Sequence, residues 1–224
     1  MAPRLSIIVP VLNEAASIRE ALEALAPLRA RGHQVVVVDG GSDDGTASLA
    51  AAACDQLLVT PRSRALQMNT GALVASGDAL LFLHADTRLP ERADELVFAA
   101  LAGARWGRFD VRIASCHPLL GVVARAINLR SRLSGIATGD QAIFVRRDAF
   151  PGFPEIPLME DIALSRLLRR RGRPACLRAR VVTSARRWEA RGVLRTILLM
   201  WRLRLLYALG VAPQRLARDY VDQR

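Results

Sequence analysis

The chain contains no lysine: all 32 of its basic residues are arginine, and against 21 Asp and Glu they leave a net charge of +11. A planar guanidinium suits phosphate groups, on a small ligand or on a membrane surface. Arginine in place of lysine also follows from genome base composition alone, and the composition leaves both readings open. The arginines are spread along the chain and gather only in the second half, as in Arg169-Arg170-Arg171 and Arg186-Arg187. With no helix-turn-helix and no aromatic RNA-binding signature, nucleic acid is not an expected partner. Cysteine is scarce too. Cys54, Cys116 and Cys176 lie far apart with no CxxC pair, which excludes a disulfide framework and a structural zinc site and suits a reducing compartment. Long apolar runs are missing as well. The longest candidate, Val193 to Val211, is interrupted by Arg195, Arg202 and Arg204, too costly for an ordinary membrane span. Met1-Ala2-Pro3-Arg4 leads straight into an apolar strand, so no signal peptide is expected. The expected location is the cytoplasm, with peripheral contact on the inner face of the cell membrane. The dinucleotide glycine fingerprint and the Walker lysine are also absent.

What is present reads as alternating strands and helices. Leu5 to Val11 is a β-branched apolar run, the mark of a buried parallel strand. Asn13-Glu14 follows, and Ser17 is placed to cap a helix running to about Ala30 with Ile18, Leu22 and Leu25 on its buried stripe. Val35 to Val38 is a second strand, ending at the turn-rich Asp39-Gly40-Gly41-Ser42-Asp43-Asp44-Gly45-Thr46. A helix to about Ala53, a strand at Leu57 to Val59, a helix at Ser63 to Ala75 and a strand at Leu80 to Leu83 follow, ending at His84-Ala85-Asp86. Such alternation implies a parallel sheet with its ligand loops on one edge. The second half is less regular. Helices are expected at about Glu91 to Ala102, Leu119 to Leu133 and Met159 to Arg171, and strands near Phe109 to Ile113, Ala142 to Val145 and Leu177 to Val182. A helical tail from Val193, broken at Gly210 and Pro213, closes the chain.

Three acidic turns thus end three strands: Asn13-Glu14, Asp39 and Asp86. One such turn is ordinary capping chemistry. Three on one sheet edge are suited to hold a base, a ribose and a divalent ion on a diphosphate.

These residues resemble a known family. Ser6 to Glu14, Val38 to Thr46 and Gly71 to Asp86, continued by Gly139-Asp140-Gln141, Met159-Glu160-Asp161 and Arg186-Arg187-Trp188, are similar to family 2 glycosyltransferases. The small size and the Arg-Arg-Trp ending resemble the bacterial radical-SAM/selenodomain-associated subgroup. The resemblance implies an α/β GT-A fold, a Rossmann-like, mostly parallel sheet flanked by helices. The domain would span residues 1–190, with a donor half to about 105, an acceptor half from about 106, and a helical tail over 191–224 packed on it. It implies that Pro10, Val11, Asn13 and Glu14 line a nucleotide pocket, with Asp39 bonding the base, usually uracil, and Ser42 and Asp43 supporting that loop. Arg64, Met68 and Ala85 would lie beside the donor. Asp86 would bind Mg²⁺ or Mn²⁺ on the diphosphate. The family motif there commonly reads Asp-x-Asp, whereas this chain has His84, which either contacts ribose or metal or only ends the strand.

On the acceptor side, the resemblance implies Asp161 as the base that takes the acceptor hydroxyl proton, with Glu160 supporting it. The plain reading of that pair is favourable charge at a helix start. Gly139, Asp140, Gln141, Arg187 and Trp188 would face the acceptor or diphosphate; the Gln of the fuller Gln-x-x-Arg-Trp pattern of processive relatives is not present, so processive polymerisation is not expected. The expected activity is inverting, metal-dependent transfer from a nucleotide-sugar donor, a UDP-sugar, to a small or lipid-linked hydroxyl. A nucleotidyltransferase is the competing enzyme class, but its Gly-rich basic loop is not found in Pro10 to Ala15. An inactive binding protein of the same fold is the third reading. For the tail, the alternatives are packing on the domain, a homodimer contact, or an interfacial helix on an anionic membrane.

Overall fold

The computed structural model describes residues 3–221, apart from the side chains of Arg187, Arg191 and Val221. Strand β1 (Leu5–Val11) is followed by helices α1 (Ile18–Glu23) and α2 (Ala26–Ala30). The single helix expected from Ser17 to Ala30 therefore breaks. Pro27 has no N–H to continue the ladder, and it sits in the first turn of α2, where that loss is tolerated. Ser17 does stand at the N-terminus of α1, but its hydroxyl does not cap it. That Oγ donates instead to Glu14 Oε2 at 2.7 Å.

Next come β2 (Gln34–Asp39), α3 (Thr46–Ala51), β3 (Gln56–Val59), α4 (Arg64–Val74) and β4 (Ala79–Phe82). Strands β3, β2, β1 and β4 are parallel neighbours in that order, as the alternation required. Alternate residues feed two cores, one on each face of the sheet. Ile7, Val9, Val35, Val37 and Leu81 pack toward Ile18, Leu22, Leu28 and Val97. Ile8, Val36, Val38, Leu80 and Phe82 face Ala65, Met68, Leu164 and Leu168. Each fully buried aliphatic chain there contributes about 1.5–3 kcal/mol. At Gly71 the helix comes so close that a Cβ would lie 2.5 Å from Ile8 Cγ2.

The remaining elements are β5 (Thr87–Arg88), α5 (Ala93–Leu101), β6 (Trp106–Ala114), α6 (Pro118–Ser134), β7 (Phe144–Arg146), α7 (Glu160–Arg169), β8 (Ala175–Ser184), α8 (Arg186–Arg191), α9 (Val193–Ala208) and α10 (Pro213–Val221). A 3₁₀ turn at Gly139–Gln141 precedes β7. The eight-stranded sheet has the order β3-β2-β1-β4-β7-β6-β8-β5. β7 runs antiparallel to both neighbours, so β6 regains the direction of β4, and β8 is parallel to β6. The ends of β1, β2, β4, β6 and β8 consequently share one edge. The two-residue β5 and the single-turn-scale α8 were not expected from sequence, being too short to show periodicity. Helices α9 and α10 pack Leu199, Leu203 and Leu216 against Met159 and Ile162 of the α7 start.

Some of the arginines are structural. Arg108 is fully buried and pairs with Asp110, whose other oxygen takes Arg132 Nη2 at 2.7 Å. At the opposite end of the sheet, Asp94 binds Arg31 Nε at 2.8 Å and His33 Nε2 at 2.8 Å, while His33 Nδ1 accepts from the Leu5 amide at 3.2 Å. With Nδ1 accepting, Nε2 carries the proton and donates to Asp94. Burial alone would raise the Asp94 carboxyl, but these bonds hold it well below the usual carboxylate range.

Because that folded-state value is depressed, the stabilisation is present above the unfolded carboxylate value near 4 and is lost as pH falls below it. Asp94→Asn is expected to lower unfolding free energy at pH 7 by about 2–3 kcal/mol. Urea titrations should show the gap to wild type closing as pH drops below about 4. A gap that is constant with pH would contradict this assignment.

Candidate active site

The strand-end loops are stitched to one another before any ligand enters. After β1 the backbone turns at Asn13, in the left-handed region at φ 52°, a conformation Asn tolerates better than most residues. The Asn13 amide donates to Ser42 Oγ at 2.9 Å, and Ser42 Oγ donates to Asp39 Oδ1 at 2.6 Å. The Ser42 amide reaches the same oxygen at 3.0 Å, and the Asp43 amide returns to Asn13 Oδ1 at 3.1 Å. Two further bonds, Glu14 amide to Thr46 Oγ1 at 2.8 Å and Ala15 amide to Asp44 Oδ2 at 2.9 Å, complete the seam. Asp39 itself is buried at the end of β2.

Beneath this seam lies Gln67, which sequence reasoning missed. Its Nε2 donates to the Val11 and Val38 carbonyls, both at 2.8 Å, closing the ends of β1 and β2 from the α4 side. The signal for it was a polar residue on the buried stripe of α4, where an amide must find partners. Val11 and Met68 are core residues by side chain, and Pro10 is half-buried. Another link joins distant motifs: Glu14 Oε2 takes Arg186 Nη2 at 3.0 Å, across 172 residues of chain. Trp188, on the same helix α8, packs in the cluster of Ile113, Leu120 and Val193. Arg187 lies on α8, but its side chain is outside the described residues.

The acceptor-side motifs converge as well. Met159 adopts φ 67° and turns the chain into α7, so Glu160 and Asp161 open that helix. Asp161 Oδ2 accepts the Gly139 amide at 2.8 Å, and Oδ1 accepts the Ile162 amide at 2.7 Å. Glu160 is buried, with Arg64 Nη1 at 3.5 Å. Burial and then the neighbouring Asp161 push its carboxyl up, and Arg64 offsets part of that. Arg64, at the start of α4, therefore reaches the acid that opens α7.

His84 sits with Nδ1 3.3 Å from Asp140 Oδ1. A Cβ at Gly139 would come within 2.5 Å of His84 Nε2, so the absence of a side chain there makes room for the ring. His84 thus lies just beyond the end of β4, beside Asp140. Gln141 turns inward and is fully buried, with Nε2 toward the Phe109 carbonyl at 3.5 Å and Oε1 accepting the Thr138 amide at 3.2 Å. Asp86 and Ala85 follow β4; Thr87 Oγ1 donates to Asp86 Oδ1 at 3.2 Å. A cavity of about 90 Å³ opens between Asp86, Asp140, Trp188, Met200 and Tyr220. Among the described residues no three His, Cys, Asp or Glu side chains converge on a metal position. A half-buried Asp86 facing a cavity nevertheless fits an ion shared between one carboxylate and ligand phosphates, the common mode for Mg²⁺.

Comparison with known proteins gives the family and the fold that the chain resembles. Residues 6–107 match the family model described as Glycosyl transferase family 2. A PGL/p-HBAD biosynthesis glycosyltransferase of Mycobacterium bovis is 39% identical over 106 residues, which is 44% of this chain and 41% of that one. The aligned stretch thus spans about two fifths of the length of the curated relatives it matches. Among solved structures, glucosyl-3-phosphoglycerate synthase from Mycobacterium tuberculosis, in complex with Mn²⁺, uridine diphosphate and phosphoglyceric acid, superposes with a TM-score of 0.60 at 19% identity. It covers 81% of this chain and 70% of that one. S. aureus TarS gives 0.65 at 18% identity, over 81% of this chain and 60% of that one. The fold is the GT-A fold of nucleotide-sugar transferases. Residues 6–107, under half of the chain, are thus similar to members of glycosyl transferase family 2.

Gly139→Ala is expected to cost about 1–3 kcal/mol by forcing the His84 ring aside. His84→Ala in the same chain should recover part of that loss. Thermal unfolding of the single and double variants measures it, and strict additivity of the two changes would contradict the contact.

Proposed function

We propose that the chain transfers a sugar, with inversion, from a nucleoside-diphosphate donor of the UDP-sugar type to a hydroxyl of a small or lipid-linked acceptor. The observation that carries this is Asp161, held by the Gly139 amide and set with Glu160, His84 and Met68 around a small cavity between the end of β4 and the start of α7. In the proposed step Asp161 takes the acceptor hydroxyl proton while that oxygen bonds to the anomeric carbon. The bond from that carbon to the diphosphate oxygen breaks on the opposite face. Asp39 and the Asn13–Ser42–Asp43 seam hold the nucleoside; Arg64 and Glu160 set the charge around the base. A divalent ion, Mg²⁺ or Mn²⁺, held by Asp86 with the donor phosphates, would neutralise charge on the departing nucleoside diphosphate. Solved neighbours of the same fold were crystallised with UDP and either ion, which supports this assignment. The narrower subgroup resemblance rests on the size and the Arg-Arg-Trp motif alone.

A second surface bears on where the acceptor lies. Helix α9 exposes Leu194, Leu198, Trp201, Leu205 and Leu209 at 61–72%, spaced four, three, four and four residues apart on one face. Arg195 and Arg202 are exposed along the edge of that stripe. No helix among the described residues is long and apolar enough to cross a membrane. An apolar stripe edged by arginine suits the surface of an anionic bilayer, where a lipid-linked acceptor would be met.

Thermal shift with UDP-sugars, with and without Mn²⁺, is expected to show donor-dependent stabilisation that Asp161→Asn retains, while transfer falls about 10²-fold or more. Unimpaired transfer by that variant would overturn the base, and release of pyrophosphate would favour a nucleotidyltransferase. Cosedimentation with phosphatidylglycerol vesicles should be lost in Trp201→Glu. Absence of vesicle binding together with a dimeric mass in solution would assign the stripe to a second copy.

A further inference from the structure

Arginines in this fold are generally answered by acids where they are buried or partly buried, as Arg108 and Arg132 are by Asp110 and Arg29 by Asp55. Two are not. Arg130 of α6 and Arg204 of α9 are both half-buried, and among the described residues neither makes an ion pair within 4 Å. The Nε and Nη2 atoms of Arg130 are buried without a hydrogen-bond partner. Burial, and after it the neighbouring Arg204, push the Arg130 guanidinium down to about 10. Burial likewise pushes Arg204 down, against the pull of Asp161 and Asp140. Two like charges set side by side with donor groups unused are unfavourable in the free protein, and an oxyanion between them removes both penalties.

Their position supplies the ligand's place. Helices α6 and α9 lie side by side, with Leu120, Val123 and Ala124 packed in one cluster with Val193 and Ile197. Ile127 and Met200, one from each helix, line the cavity that also holds Asp86 and Asp140. Arg130 follows Ile127 by three residues and Arg204 follows Met200 by four, so each lies one turn further on along the same helix face. The pair thus lies about one helical turn beyond the residues that line this cavity, within electrostatic reach of the proposed base.

We propose that Arg130 and Arg204 form an oxyanion subsite that takes a phosphate or carboxylate group carried by the acceptor. The word acceptor rests on the sugar-transfer reading; the subsite itself does not. A donor diphosphate offers the same chemistry, so the test separates the two sources. Inorganic phosphate is titrated against the whole chain by calorimetry, alone and with saturating UDP and Mn²⁺, for wild type, Arg204→Gln and Arg130→Gln/Arg204→Gln.

Expected is phosphate binding in both conditions, weakened about tenfold or more in the double variant, with UDP affinity unchanged. Arg204→Gln alone should fall between the two, and it serves if the double variant does not fold. Phosphate binding that disappears once UDP and Mn²⁺ are bound would place the pair on the donor diphosphate and overturn the acceptor assignment. Absence of phosphate binding, or binding unchanged in both variants, would overturn the subsite. Arginine-dependent phosphate binding in a chain that binds no UDP would uphold the subsite and sink the sugar-transfer reading.

Discussion

The hydrogen bond from the Gly139 amide to Asp161 Oδ2 is the joint on which the site depends. It fixes the start of α7 to the 3₁₀ turn before β7, and the bare Cα of Gly139 leaves the space that His84 fills at the end of β4. One contact therefore ties together the end of β4, the Gly139–Gln141 turn and the helix bearing the proposed base. A short backbone-to-carboxylate bond also sets the direction of the Asp161 oxygens, which a solvent-exposed side chain could not hold. The Glu14–Arg186 pair holds the start of α8 to the first loop, and Trp188 of that helix lines the cavity with Asp86 and Asp140.

The strands at Leu5–Val11 and Gln34–Asp39 were legible because their apolar runs and the turns that end them are local signals. The acidic strand ends were legible for the same reason, and parallel pairing put them on one edge. The family resemblance added roles that spacing alone could not assign, above all the choice between a helix-start charge and a base at Asp161. Features set by distant partners were not readable. Nothing near Gln67 announces that it will close two strand ends, and nothing near Ser17 shows that Glu14 will claim its hydroxyl. Gln141 read as part of an acceptor motif, yet its amide is spent inside the protein on Phe109 and Thr138.

Three kinds of arginine stand out in the structure. One is structural, exemplified by the buried Arg108 with Asp110, and needs no ligand to explain it. A second is the exposed set along α9 beside its apolar stripe. The third is the unanswered pair Arg130 and Arg204 near the proposed base. Net charge alone could not separate these, because it records number and not placement.

The central claim is a single-displacement sugar transfer with Asp161 as base. The most direct measurement is the anomeric configuration of the first product, read by proton NMR from an α-linked UDP-sugar before mutarotation or hydrolysis intervenes. The account predicts a β-linked product. An α-linked product would contradict it, since retention requires a different arrangement of reacting groups from the one assigned to Asp161.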